Sequence, residues 1–257
     1  MIFVPVFLLL TAAYLTVPVF HTAGVSEKSK ELNNRGMARY EEGDYTGASE
    51  LFLEAVESDE TNYLAHYNLA CTMTLLRKDC NPRDFDPEGK YSFNIRMDSI
   101  LEHLRKAAEL DAGRKRRMLE DPDLNAVHTA LEFHLIAGRS LDTTADARII
   151  LQEVLWRIDF AGRPAGRQTD LGPADGAVAF APNGTFRIEF YEYGSQGFGR
   201  YRVENGRLEL VFTGGDLGKG RIYGTFEEDR IVVTGFEKGP LLIWSDTREC
   251  PAQEWKR

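Results

Sequence analysis

Metal-ligand spacings are what this 257-residue chain most clearly lacks. Its five histidines stand with no HExxH, no CxxC and no other paired spacing, and His128 and His134, six apart, are poorly placed for one ion. No metal or other cofactor is expected. There is no GxSxG, and Cys71 has no identifiable base partner, so nucleophilic hydrolysis has no visible machinery. The glycine-rich Thr213–Gly220 segment lacks the first glycine and the Ser/Thr after lysine that a phosphate loop needs, and is expected to connect strands. A net charge of −9 excludes a general nucleic-acid binder. The single basic run, Arg114 to Arg117, lies near a helix end and reads as solvated charge compatible with the helix dipole. These absences together predict a protein that is not an enzyme.

Charge is also missing from residues 2–20, twelve of which are Ile, Leu, Val or Phe. Each of these contributes roughly −0.3 to −0.6 kcal/mol at a bilayer centre, so the segment should engage a translocon. Pro5 and Pro18 disfavour a helix at its ends, and small residues follow, offering cleavage after Ala23 or Gly24. Residues 1–24 are therefore expected to be a signal peptide of an exported protein, periplasmic or secreted. No Lys or Arg precedes Lys28, which leaves an uncleaved anchor in the inner membrane as the alternative. Three cysteines in an exported chain leave one unpaired. A Cys71–Cys80 bridge, a Cys80–Cys250 bridge and three free thiols all remain open.

What is present begins with a repetition. Residues 48–59 and 100–111 are two spellings of one amphipathic helix: Ala55, Glu57 and Asp59 recur as Ala107, Glu109 and Asp111, and Phe52 becomes Leu104. Repeated helices imply stacked units, which bind more often than they catalyse. The stretch Gly43 to Asp59, with Ala48, Phe52 and Ala55 on the second helix and a Gly43-Asp44-Tyr45 turn, resembles the second half of a tetratricopeptide repeat. The resemblance implies a first helix over 29–41, with Gly36 where the helices cross closely, and a second unit starting at Asn62. Leu32 and Arg39 stand where that family has Trp and Tyr. The second copy is displaced by about 18 residues beyond the 34-residue period, which places an inserted loop at 78–96. Residues 113–138, broken at Asp121-Pro122, are expected to cap a helical domain over 25–138.

In such an array the first helix of each pair lines a concave groove. The resemblance places Lys30, Asn33, Met37, Tyr40 and Glu41 there from unit one, and Leu64, Tyr67, Cys71, Thr74 and Leu75 from unit two. Their Tyr, Met and Leu content suits an apolar peptide segment. The Lys/Asn pair that grips a C-terminal carboxylate in some relatives is half present, as Lys30 and Asn33. Leu64 and Leu75 have a plainer reading as packing under the tail helices.

After a small, polar stretch at 139–150, read as a linker, the period changes to two. Phe186, Ile188 and Phe190 alternate with polar residues, as do Leu208, Leu210 and Phe212, then Ile231 and Val233, then Leu241 and Ile243. Asn183-Gly184 and Asn205-Gly206 signal type I′ hairpins, with Glu228-Asp229 a weaker turn. Consecutive hairpins over 151–250 predict an antiparallel up-and-down barrel. The order Phe180-x-Pro-Asn-Gly-x-Phe186, Gly199-x-Tyr201, Gly206-x-Leu208-x-Leu210 resembles lipocalin-like barrels of exported bacterial proteins. Phe186, Phe190, Tyr201 and Phe212 should face its interior, where a filled core is favoured over a cavity.

The fold expected is thus multidomain α + β. The function expected is a non-enzymatic exported adaptor that takes a protein or peptide partner in the helical groove, with the barrel as a second recognition module. No nucleic acid is expected as a partner, and a membrane only if the N-terminal segment stays uncleaved. The alternative is a barrel that holds a small apolar ligand, as a carrier or envelope stress sensor.

Overall fold

The computed structural model describes residues 24–78, 97–160, 176–191, 194–236 and 239–245. The apolar N-terminal run, the inserted loop, Cys80 and Cys250 lie outside them. Among the described residues no helix is long and apolar enough to cross a membrane. Among the described residues, seven α-helices and one 3-10 helix lead into a closed barrel of eight antiparallel strands.

Helix α1 (Glu27–Glu41) starts at Ser26, whose hydroxyl accepts from the Ser29 amide at 3.3 Å. It ends where Gly43, at φ +80°, reverses the chain as only glycine does cheaply. Asp44 then caps α2 (Tyr45–Ser58), accepting from Gly47 N at 2.9 Å. Gly36 is the crossing point: a Cβ there would stand 2.6 Å from the Phe52 ring. Helices α3 (Tyr63–Lys78) and α4 (Met97–Leu110) continue the stack, each packed on its predecessor. The repeated positions coincide in burial: Phe52 and Leu104, Ala55 and Ala107 are all fully buried. A polar clasp joins α1, α2 and α3, in which Ser29 Oγ donates to the Ala55 carbonyl at 2.7 Å and Asn62 Nδ2 donates to Ser29 Oγ at 2.8 Å.

The chain then breaks at Asp121-Pro122. Helix α5 (Arg114–Glu120) stops there, and a 3-10 helix, Pro122–Val127, begins with Asp121 as its cap. Proline at a helix start loses no hydrogen bond, because that amide would be unpaired anyway. Met118, Leu124 and Val127 are fully buried against α3 and α4. Helix α6 (Leu131–Ile136) completes this layer, although Leu135 points outward at 39 % exposure.

Residues 139–150 do not form a polar linker. Most of them belong to α7 (Thr144–Glu153), capped by Thr143. Ala147, Ile150 and Leu151 lie three and four apart on one face and join the barrel's own core, along with Leu131 and Leu141. The Leu155 amide donates to the Thr129 carbonyl at 2.9 Å, and the Leu131 amide to Ser245 Oγ at 3.0 Å. The helical half is therefore docked on the sheet half by buried apolar area and backbone bonds.

The barrel runs β1 (Trp156–Phe160), β2 (Gly176–Phe180), β3 (Thr185–Phe190), β4 (Ser195–Glu204), β5 (Arg207–Gly215), β6 (Gly220–Phe226), β7 (Arg230–Thr234), β8 (Leu241–Ser245), each paired to the next, and β8 to β1. Closure leaves no free edge. The alternating residues face inward: Phe186, Ile188, Phe190, Leu208, Leu210, Phe212, Ile231, Val233, Leu241 and Ile243 are all buried. Asn205 and Gly206 both take positive φ, 51° and 70°, the type I′ geometry expected. At Asn183-Gly184 only Gly184 does, at 80°. The reason is Pro182, which fixes φ near −65° and starts an ordinary turn closed by Gly184 N to the Ala181 carbonyl at 3.0 Å.

Candidate functional site

One cavity, of about 700 Å³, opens where α1, α3 and the α4–α5 corner face the 3-10 helix. Met37 and Tyr40, three apart, present one face of α1; Tyr67 and Cys71, four apart, present one face of α3. Asn68 lies between them, and Asp111, Gly113, Arg114, Arg117, Asp121, Pro122 and Asp123 complete the lining.

The wall opposite the two helices is charged. Tyr67 OH donates to Asp121 Oδ2 at 2.8 Å, and Tyr40 OH donates to Asp123 Oδ2. Asp121 is buried, yet fully engaged: its Oδ1 accepts from the Asp123 amide at 3.2 Å and its Oδ2 lies 3.4 Å from Arg117 Nε. Arg114 Nε donates to Asp111 Oδ2 at 3.2 Å, while its guanidinium lies 5.0 Å above the Tyr63 ring and 5.6 Å above that of Tyr67. Burial, and then the Asp123 carboxylate, push the Tyr40 phenol well above its ordinary range. Burial, the Cys71 sulfur and Asp121 do the same to Tyr67. Both stay donors at any physiological pH.

Cys71 is a buried thiol, free in this structure. Burial pushes its pKa well up, and the Asp121 and Asp123 charges push it further, so it stays protonated and poor as a nucleophile. Its sulfur and the carboxylate oxygens of Asp121 and Asp123 all lie within 4.8 Å of one another. The thiol and two carboxylates form a donor set open to a cation, although the Tyr and Arg bonds already occupy part of it. Sequence spacing hid this set, because Cys71 and Asp121 are 50 positions apart.

Four of the ten residues expected in the groove therefore line the cavity: Met37, Tyr40, Tyr67 and Cys71. The other six do not, Glu41 and Leu75 among them. Lys30 is held by Glu27 at 2.8 Å on the α1 surface, and Asn33 is buried, accepting from Asn68 Nδ2 at 3.0 Å. They form no joint grip for a carboxylate. Thr74 is buried and donates to the Ala70 carbonyl at 2.8 Å, the usual fate of a helical threonine. Leu64 is 36 % exposed and away from the cavity, not packed under the tail. The trough is also less apolar than expected, because the capping segment folds its Asp and Arg side chains into it. Arg114 and Arg117 are cavity wall, not merely solvated charge.

Two further clusters lie elsewhere. His66 and His103 meet at 3.0 Å between Nδ1 atoms; His66 Nε2 lies 3.1 Å from the Glu60 carbonyl, so His103 is the donor in the pair. Burial lowers the pKa of both. At the junction of α6 and α7, Glu153 collects Arg139 at 3.0 Å, His128 at 3.5 Å and His134 at 3.7 Å. His134 is fully buried, donates Nε2–H to the His128 carbonyl at 2.8 Å and accepts from Arg139 at 3.0 Å. Burial drives its pKa to about 4.

In the barrel, Phe186, Phe190 and Phe212 are buried, and Tyr201 is partly so. Phe186 meets the Phe212 ring at 5.0 Å between centroids, and Phe190 stacks on Phe160 at 5.3 Å. Tyr201 keeps its hydroxyl bonded, accepting from Gln152 at 2.9 Å and donating to the Ala181 carbonyl at 3.1 Å.

No protein-family model matches the chain, and no curated protein matches it significantly. The site is therefore read from its own chemistry.

Proposed function

We propose that this protein is a non-enzymatic adaptor whose helical half receives a peptide segment of a protein partner. On this reading α1–α2 and α3–α4 are two tetratricopeptide-like units, and the helices after them cap the stack. One observation carries it: Met37, Tyr40, Tyr67 and Cys71, which the repeat places at groove positions, line a single cavity between successive first helices. Its volume, about 700 Å³, falls in the range of sites that bury a ligand. The thiol nearest to it is held protonated, which speaks against a nucleophilic role.

The barrel, on the same proposal, is lipocalin-like in strand order and filled, acting as the platform on which the helical half sits. Ring-to-ring contacts among its inward phenylalanines favour this over the alternative of an apolar ligand carrier. Export, with residues 1–24 as a signal peptide or anchor, is proposed from the uncharged segment 2–20.

A photo-crosslinking amino acid at Met37 tests the adaptor role in cells. A discrete adduct is expected there and not at Leu53, an exposed position on α2 outside the cavity lining. Equal, diffuse labelling at both positions would remove the proposal.

A further inference from the structure

We propose that the cavity recognises a cationic side chain of the bound peptide, a lysine ammonium or an arginine guanidinium, with Asp123 as its counter-ion. The inference rests on the peptide-groove reading and specifies its partner. Three carboxylates and two guanidiniums line the cavity. Asp111 is matched by Arg114 at 3.2 Å, and Asp121 by Arg117 at 3.4 Å. Asp123 is the carboxylate left over. Among the described residues it pairs with no cation, and its side chain is engaged only by the Tyr40 hydroxyl. A carboxylate offers about four lone-pair sites, so one phenol leaves most of its acceptor capacity open to the cavity.

The surroundings suit an ammonium or guanidinium more than any other group. Tyr40 and Tyr67 line the cavity together with Asp123, and this wall already holds one cation against a ring, the Arg114 guanidinium 5.6 Å above Tyr67. Met37 offers a flexible apolar flank for the methylene stem of a long side chain. An anionic residue would meet the unmatched Asp123 and gain only from arginines that already hold partners. A neutral apolar residue would bury Asp123 without a cation, which is costly in a desolvated pocket.

The probes are fluorescent nonapeptide pools, blocked at both ends, whose central residue is fixed as Lys, Arg, norleucine, citrulline or Glu. Their affinities for the full chain are read by anisotropy. Norleucine and citrulline keep the length of Lys and Arg and remove the charge. The Lys or Arg pool is expected to bind about tenfold tighter than its neutral counterpart, the ratio one charge-assisted hydrogen bond supplies. In Asp123→Asn, which keeps an acceptor for Tyr40, that ratio should fall to near one. The comparison of pools on the unaltered protein decides the matter even if the variant does not fold. Equal affinity of charged and neutral pools, or tightest binding of the Glu pool, overturns the cationic site and leaves the groove standing. A preference for the Glu pool that is lost on adding EDTA overturns it in favour of a metal ion held by Cys71, Asp121 and Asp123. If no pool binds, the groove reading falls, and this inference with it.

Discussion

Acid should weaken this protein through His134, and the size of the effect follows from its surroundings. The ring is fully buried, donates to the His128 carbonyl, and accepts from Arg139, so a second ring proton would break a hydrogen bond and face a guanidinium. Every element packed on it contributes: burial dominates against its charge, the His128 carbonyl and Glu153 favour that charge, and Arg139 and the His128 ring oppose it. Its pKa falls from 6.5 to about 4. In the unfolded chain it returns to the ordinary value, so between these limits the unfolded state binds more protons. Stability is therefore full above pH 6.5, declines as pH falls towards 4, and changes no further from this group below that. At about 1.4 kcal/mol per unit, the loss by pH 4 is about 3 kcal/mol. The assay is urea unfolding at pH 7 and pH 4, followed by the fluorescence of the buried Trp156. His134→Gln keeps one donor and one acceptor and cannot titrate. It should lose about 3 kcal/mol less than the parent over that range, whatever its stability at pH 7. Parallel losses in the two proteins would falsify the assignment of a neutral, buried imidazole.

Gly36→Ala should cost about 1–3 kcal/mol in urea melts, because its methyl meets the Phe52 ring at 2.6 Å; Phe52→Leu, the residue of the other copy, should recover part of it, and simple additivity of the two costs would refute the close crossing. Tyr67→Phe should cost about 1–2 kcal/mol by removing a bond to the buried Asp121 carboxylate, measured by the same melts; an unchanged midpoint would show that bond to be worth nothing. Cys71 should resist alkylation at pH 8 in the native protein and react promptly in urea, read by peptide mass; fast native labelling would contradict a buried, protonated thiol. Gly206→Ala, at φ +70°, should lower stability by about 1 kcal/mol, whereas the same change at an exposed α-helical site should not; an equal effect at both would refute the turn geometry.

Local rules sufficed wherever structure depends on neighbours along the chain. The two helical copies, the Gly36 crossing, the break at Asp121-Pro122 and the inward faces of β3, β5, β7 and β8 all follow from periodicity and from the few residues that tolerate a turn. Helix α7 was legible in principle from the Thr143 cap and the Ala147, Ile150, Leu151 spacing. The small polar residues before them outweighed that signal. At Asn183-Gly184 the hairpin was legible and its turn type was not, because Pro182 starts the turn one residue earlier, at Ala181–Gly184.

Chain order alone thus determined that helices precede a barrel, and which helix faces could line a groove. It could not determine what stands opposite those faces. Tyr40 meets Asp123 across 83 positions and Tyr67 meets Asp121 across 54, and no spacing rule reaches that far. Only the folding back of α5 and the 3-10 helix over α1 and α3 turned a trough expected to be apolar into a pocket with a charged wall. Partners across a cavity are set by tertiary packing, where burial and the matching of each charge are decided together.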